Sequence, residues 1–330
     1  MMTGNFSVNS PKVVIFGGTG FLGRYIVQRL ARQGWIVNVI TRNPSEAIFL
    51  KTFGHIGQIN LVKGNFLNCE DLREKIRDSY AIVNCVGILN ESSSQKFKIL
   101  HTEVPSKLAK YAFELGVEKF IHISSIGANE GSKSSYERTK FVGEKRIQNA
   151  FPKAIILRSS LMFGSEDQFF NLFSQMVSFS PLLPIVGGGK TLFQPVYVDD
   201  IAHAVEKILQ NFELKYGNNN IFELGGSEIM SFRDLMLKML SIINRKRILF
   251  NIPFWVAEIL TPFVFIINKL SLNKIPLLIT KDQIQQLKKD NIANRDLPGF
   301  KELSISPRVL DAILPAYLNR FRPKGQFSDL

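Results

Sequence analysis

Cysteine occurs only twice in the 330 residues, as Cys69 and Cys85. Two cysteines cannot build a disulfide scaffold, and neither has the His or Cys neighbours of a zinc site, so the chain reads as a product of a reducing compartment. The four histidines, His55, His101, His122 and His203, are scattered. No metal is expected, and each reads as a structural side chain. Bilayer-spanning runs are missing as well. The most apolar stretch, Ile248 to Leu278, is broken by Pro253, Glu258, Pro262 and Asn268, short of the ~20 uninterrupted apolar residues of a spanning helix. Carboxylates are scarce relative to cations, 28 against 41, which leaves a net charge of +13 and points to anionic partners. Yet no basic run is longer than Arg245-Lys246-Arg247, and no zinc-finger or RNA-binding signature occurs, so nucleic acid is not the expected partner. The opening residues, Met1 to Ser10, are polar and lack the apolar segment of a secretory signal. A cytoplasmic or equivalent interior location is therefore expected.

What the chain has is 45% hydrophobic residues, ample for a buried core. Apolar, β-rich runs at Lys12 to Phe16, Trp35 to Thr41, Ile59 to Val62, Tyr80 to Cys85, Lys119 to Ser124 and Ala154 to Arg158 alternate with amphipathic segments. That alternation predicts an α/β fold with a doubly wound parallel sheet covered on both faces. Helices are predicted over Phe21 to Gln33, Glu70 to Asp78, Gln95 to Leu115 and Ser135 to Ala150. Pro105 requires the third to start near it or to kink there. Beyond Arg158 the pattern loosens, with a Phe-rich helix around Asp167 to Phe179 and a turn at Gly187-Gly188-Gly189, as in a substrate lid. The expected organisation is a short tail over 1–11, a Rossmann-type domain over 12–230 with a lid insert from about 159, and a smaller, mostly helical, apolar and basic C-terminal subdomain over 231–330. The Ile248 to Leu278 region admits two readings. It is a pair of buried helices, or a surface that docks on a partner or a bilayer with Lys269, Lys274 and Lys281 toward anionic lipid.

The first strand runs into Gly17-Gly18-Thr19-Gly20-Phe21-Leu22-Gly23 and then into the first helix. Glycines at 17, 20 and 23 allow a tight turn, close approach of backbone to a pyrophosphate, and tight helix–strand packing. The pyrophosphate would sit on the free N–H groups at the helix start, with Thr19, Phe21 and Leu22 in the same cradle. Arg42 follows the second strand, where an acidic residue would otherwise hold the ribose 2′-hydroxyl. A guanidinium there accommodates a 2′-phosphate, which favours NADP(H) over NAD(H). Asn65 and Phe66 after the third strand are candidates for flanking the adenine. Cys85, Val86 and Gly87 after the fourth are candidates for bordering its ribose, although all five also suit simple strand-end turns. In Val196 to Asp200, Asp199 or Asp200 reads as the N-cap of a helix entering at Ile201.

Tyr136 and Lys140 are four apart in a helical pattern, so phenol and ammonium share one face. A nearby ammonium favours the phenolate of a tyrosine whose ordinary pKa is ~10. The pair would give or take the proton of a carbonyl/alcohol interconversion. Ser124 and Ser125 end the fifth strand, where a hydroxyl can hold the substrate oxygen.

Together these residues resemble the short-chain dehydrogenase/reductase superfamily in its extended or atypical branch, over roughly residues 12–230. The runs Phe53-Gly54-His55-Ile56-Gly57-Gln58, Val117 to Ser124, Ala150 to Ile156, Phe163 to Asp167, Gln194 to Val198 and Thr280-Lys281-Asp282-Gln283 are similar to the NADPH-binding accessory subunits of respiratory complex I (NADH:ubiquinone oxidoreductase) and their bacterial relatives. The resemblance implies tightly held NADPH, complex I subunits as partners, a structural or assembly role, and a peripheral position on the inner face of the energy-transducing membrane. It also implies that Gly17, Gly20, Gly23 and Arg42 bind coenzyme while Tyr136 and Lys140 border the nicotinamide. Asn84-Cys85-Val86-Gly87 departs from the Asn-Ala-Gly usual in the active enzymes, and Glu103 stands where many carry a proton-relay Asn. Turnover is therefore left open. A free-standing NADP-dependent oxidoreductase or epimerase using the Ser-Tyr-Lys site is the alternative, and a coenzyme-sensing regulator a third reading from fold alone.

Overall fold

The computed structural model describes residues 7, 10–92, 94–210, 220–261 and 280–325. Strands β1 (Lys12–Phe16), β2 (Ile36–Thr41), β3 (Ile59–Lys63), β4 (Ala81–Asn84), β5 (Lys119–Ser125) and β6 (Ile155–Ser159) follow the expected runs within a residue or two. Three short two-stranded sheets pair β7 (Met162–Phe163) with β10 (Val196–Tyr197), β8 (Leu182–Val186) with β13 (Ile248–Ile252), and β9 (Leu192–Phe193) with β12 (Met230–Ser231). The sequence reading missed β11 (Ile221–Leu224), which joins β6 as a seventh main strand. The main sheet runs β11-β6-β5-β4-β1-β2-β3 with every pair parallel. Strand order reverses between β1 and β4, and that switch point opens the crevice where such sheets bind ligands.

Both faces of this sheet are covered, which is why its strands read as continuous apolar runs rather than alternating ones. Val13 and Ile15 point to one side, where they pack with α1 (Phe21–Arg32) and α6 (Val198–Gln210). Val14 and Phe16 point to the other, toward α3 (Val104–Glu114) and α4 (Ser135–Ala150). α2 (Cys69–Lys75) is short. A third core gathers α5 (Phe169–Phe179), β8 and α7 (Phe232–Ile242) with the later helix Leu310–Leu318.

Two predicted boundaries change. The helix expected over Gln95 to Leu115 divides into a π-helical segment, Lys98–Glu103, and α3, with Pro105 in α3's first turn where its missing N–H leaves no bond unmade. α6 begins at Val198, so Asp199 and Asp200 lie inside its first turn and are not its N-cap. Instead the Asp199 carboxylate takes both forks of Arg29 at 2.6 and 2.8 Å, and Arg29 also reaches Glu206 at 2.8 Å, which clamps α1 to α6. Asp200 accepts from the Arg308 backbone N–H at 2.7 Å.

Of the apolar Ile248 to Leu278 region, β13 and a helical stretch over 254–261 are described, and 262–279 lie outside the described residues. Ile248, Phe250, Trp255, Ile259 and Leu260 are exposed. Among the described residues no helix is long and apolar enough to cross a membrane.

Candidate functional site

β1 ends in the glycine turn at the switch point. Gly17 takes a left-handed φ of 78°, and a Cβ there would lie 3.1 Å from the Cys85 carbonyl carbon, so the turn is pressed onto the end of β4. Gly23 is more constrained. A Cβ on it would sit 2.1 Å from the Gly17 carbonyl oxygen and 2.6 Å from the Gly18 Cα, distances no side chain tolerates. Gly20 stands at the N-cap of α1 with no side chain capping the helix, and its own N–H donates to the Gly17 carbonyl at 3.0 Å. The first N–H groups of α1 therefore face outward at the crevice, the arrangement that binds a phosphate. Leu22 is buried, the Phe21 ring stands edge-on to Tyr25, and the Thr19 carbonyl accepts from Arg24. Around this cradle, Arg42 is exposed immediately past β2. Asn65 accepts from the Leu67 N–H after β3, and the Phe66 ring tilts on Phe16 at 5.5 Å.

The second half of the site hangs on α4. Ser134 caps this helix by accepting from the Glu137 N–H at 3.2 Å, which starts the run that carries Tyr136 and Lys140. The Lys140 ammonium is buried and donates to the Ile123 carbonyl at 3.0 Å. Burial pulls its pKa down to about 8, against the opposing pull of Glu144 and Cys85. The Tyr136 phenol shifts the other way. Burial raises it, Ser125 counteracts in part, and Glu137 and Asp282 raise it further. The phenol is thus held protonated at neutral pH, and the Lys140 ammonium lies 6.0 Å from the ring centre.

The two serines part company. Ser124 turns into the protein and donates to Glu144, while the Ser125 hydroxyl lies near enough to the phenol to favour its ionised form, short of a full hydrogen bond. Ser125 Oγ is buried with no hydrogen-bond partner among the described residues. Alternation along β5 separates neighbours to opposite faces. Behind Ser124, Glu144 and Glu223 share the Arg158 guanidinium at 2.7 and 3.1 Å, a buried network beneath α4.

Two histidines complete the wall. His101, on the π-helical segment, meets the Tyr136 ring edge-on at 5.3 Å and stacks on Phe97 at 5.1 Å. Its Nε2 accepts from the Ile88 N–H at 3.2 Å, so the proton resides on Nδ1, beside Thr139 Oγ1. His122 Nδ1 faces the Asn84 amide at 3.1 Å, and because the same amide's oxygen accepts from Val86, its NH2 donates and His122 carries its proton on Nε2. Burial, with Lys140 adding to it, lowers both imidazoles, His101 to about 2, so both stay neutral. A Cβ at Gly87 would come 3.3 Å from the Lys140 ammonium and 3.9 Å from His101 Nε2, which places the Cys85-Val86-Gly87 segment over the same pocket. The Cys85 thiol is pushed up to about 12 by burial and is no nucleophile. Glu103, assigned the relay position, instead pairs with Lys98 at 3.6 Å; His101 is the side chain on that turn that meets the phenol.

Asp282 is the site residue that sequence reasoning missed. From the helix Lys281–Gln286 its carboxylate accepts from Ser135 N–H at 2.6 Å, Ser134 hydroxyl at 2.7 Å and Tyr136 N–H at 3.4 Å, across the start of α4. The Thr280-Lys281-Asp282-Gln283 run stood out only for its resemblance and its capping box, which marks a helix start but not its neighbour. The following residues continue as a strap. Asn291 accepts from Ser160 at 2.7 Å, and the Asn294 N–H donates to Glu223 at 2.8 Å.

Residues 13–225 match the NAD dependent epimerase/dehydratase family. The chain belongs to that family. Membership supports binding of a nicotinamide dinucleotide. As in the epimerase/dehydratase family at large, the fold is that of a dTDP-glucose 4,6-dehydratase from Streptomyces venezuelae solved with NAD bound, which matches with a TM-score of 0.68 at 17% identity over 93% of this chain and 95% of that one. Similarity also extends through the whole chain. It is 31% identical over 326 residues to the mitochondrial NADH dehydrogenase [ubiquinone] 1 alpha subcomplex subunit 9 of Arabidopsis thaliana, covering 98% of this chain and 81% of the relative. With the mitochondrial NADH-ubiquinone oxidoreductase 40 kDa subunit of Neurospora crassa it shares 28% over 324 residues, 98% of this chain and 83% of the relative. Two features of the epimerase/dehydratase site fit the coenzyme directly. A Cβ at Gly17 or Gly23 would press on the neighbouring backbone, which keeps both positions of the turn free of side chains, and Ser125 presents a buried hydroxyl with no hydrogen-bond partner among the described residues.

Proposed function

We propose that this chain is an NADP(H)-holding accessory or assembly subunit of respiratory complex I, bound peripherally at the inner face of the energy-transducing membrane. One observation carries the reading. The likeness to the complex I subunits runs over 98% of the chain, at 31% identity to the Arabidopsis thaliana relative, and so continues past residue 225, where the epimerase/dehydratase match ends. Gly17, Thr19, Gly20, Phe21, Leu22 and Gly23 would hold the pyrophosphate, and Tyr136 and Lys140 the nicotinamide side, with Asn65 and Phe66 beside the adenine and Cys85, Val86 and Gly87 bordering its ribose. When bound, the nicotinamide supplies hydride chemistry; the protein side offers a protonated phenol at Tyr136 and a fixed ammonium at Lys140. Solubilised membranes should yield the protein together with complex I subunits and slowly released NADPH. Recovery only from soluble fractions, free of those subunits, removes the reading.

Arg42 supports NADP(H) over NAD(H), since it stands exposed at the end of β2 where the 2′-phosphate would lie. Arg42→Ala should weaken NADPH binding by about 1.5–3 kcal/mol, the range for hydrogen bonds to charged groups, and leave NADH nearly unchanged. Equal losses for both coenzymes refute the assignment. A second reading, a free-standing NADP-dependent oxidoreductase or epimerase, is favoured by the convergence of Ser125 and Lys140 on Tyr136. It requires Tyr136→Phe to abolish coenzyme-dependent turnover while coenzyme affinity stays within a few fold, and a wild type inert toward a broad carbonyl panel rules it out.

A further inference from the structure

Outside the crevice the molecule holds a second concave surface. A cavity of about 470 Å³ lies between α5, the end of α7 and the chain around residue 320. Three guanidiniums line it, those of Arg245, Arg320 and Arg322, together with Gln175, Ser178 and Phe179, and no carboxylate among the described residues does. Each has a backbone carbonyl or amide oxygen among its acceptors. Arg245 Nε donates to the Phe321 carbonyl at 2.8 Å, Arg322 Nε to the Ile242 carbonyl at 3.1 Å, and Arg320 to Asn171 Oδ1 at 2.7 Å. Arg245 and Arg320 form no ion pair among the described residues, so most of their N–H donors remain uncommitted. Like charges gathered in one concavity repel one another unless an anion joins them, and the guanidinium fork matches a phosphate with two parallel bonds.

The rim says what carries the phosphate. Phe179, the last residue of α5, is 88% exposed at the mouth of the cavity. Two residues separate it from Leu182, which lies opposite Ile248 in the β8–β13 pair, and Ile248 and Phe250 are 68% and 57% exposed. A contiguous apolar face thus begins where the cationic cavity ends, and Lys246 and Arg247 flank it. A soluble anion uses the guanidiniums and leaves the apolar face in water. An anionic phospholipid uses both, head and chain.

We propose that this cavity binds the phosphate of an anionic phospholipid, with Phe179, Leu182, Ile248 and Phe250 entering the lipid surface beside it. The site deepens the peripheral membrane location proposed above by naming its ligand, and its test needs neither coenzyme nor complex I, so either reading can fail alone.

The test is flotation of the full-length protein with phosphatidylcholine vesicles, with and without added phosphatidylglycerol. Wild type should bind only the anionic vesicles. Each basic side chain near an anionic surface contributes about fivefold, so Arg245→Gln with Arg320→Gln should lower vesicle affinity by about thirtyfold. Lys110→Gln with Lys153→Gln removes the same charge from a region remote from the cavity and should cost far less. Both pairs should melt like wild type and hold coenzyme equally well. Equal losses from the two pairs overturn the proposal, as does equal binding of both vesicle types, or no vesicle binding. Calorimetry with inorganic phosphate distinguishes the source: Arg-dependent phosphate binding without vesicle binding overturns the lipid assignment.

Discussion

Replacing Gly23 by Ala tests whether the glycine turn is fixed by packing against its own helix. The added methyl would meet the Gly17 oxygen at 2.1 Å and the Gly18 Cα at 2.6 Å, where ordinary contact begins near 3.4 Å. Turn and helix must therefore part by more than an ångström, and both obstacles are backbone, so no rotamer change relieves them. Overpacking of this kind costs about 1–3 kcal/mol, which in a chain of this size is a fall in Tm of roughly 2–8 °C. Coenzyme binding should suffer more than stability, because the same displacement moves the α1 N–H groups off the pyrophosphate. The assay is paired: thermal denaturation without ligand, and calorimetric titration with NADPH. Gly131→Ala is the control, since its methyl would meet only Asn129 Oδ1 at 3.4 Å. If Gly23→Ala melts with wild type and titrates with wild-type affinity, the reasoning about the turn is wrong.

Further outcomes follow from the surroundings of α4. Asp282→Asn removes the negative charge from the start of that helix and should lower the urea midpoint by the equivalent of about 1–2 kcal/mol; an unchanged midpoint means the strap does not stabilise α4. Arg158→Met strands Glu144 and Glu223, which are 1% and 7% exposed, and should cost about 3–5 kcal/mol, with much of it recovered when both carboxylates are also made apolar. The folded protein keeps His101 and His122 neutral well below their usual 6.5, so below about pH 6.5 only the unfolded chain takes up those protons. Stability should therefore fall as pH drops, by about 1.4 kcal/mol per pH unit for each imidazole. Asp167, Asp200 and Glu137, whose carboxyls are raised by burial, oppose the trend nearer the carboxylate range. Urea titrations between about pH 7.5 and 5.5 should show a steeper slope in wild type than in His122→Gln, and identical slopes contradict the neutral imidazole.

The sheet and the glycine cradle were readable from local pattern because each depends on residues close in sequence. β1, the turn and α1 are consecutive, and Tyr136 and Lys140 share one helix. What stayed hidden depended on phase or distance. Whether Ser124 or Ser125 faces the phenol is a question of which side of β5 each occupies, and two adjacent serines give no hydrophobic alternation to decide it. The family resemblance put Glu103 at the relay position, but that residue ends a π-helical turn, which departs from the ordinary 3.6-residue period, and His101 of the same turn meets the phenol. β11 was missed because it pairs with β6 from far along the chain, beyond α5 and α6, so no local alternation of strand and helix announces it. Asp282 lies 147 positions from the N–H it caps, and no spacing rule reaches that far.

That separation has a consequence for biogenesis. On a ribosome the segment bearing Tyr136 emerges long before its carboxylate partner, so a polypeptide stalled or clipped ahead of Asp282 leaves the first turn of α4 without that acceptor. An α4 lacking that carboxylate is then the mark of an incomplete copy, open to proteolysis where the whole chain is closed.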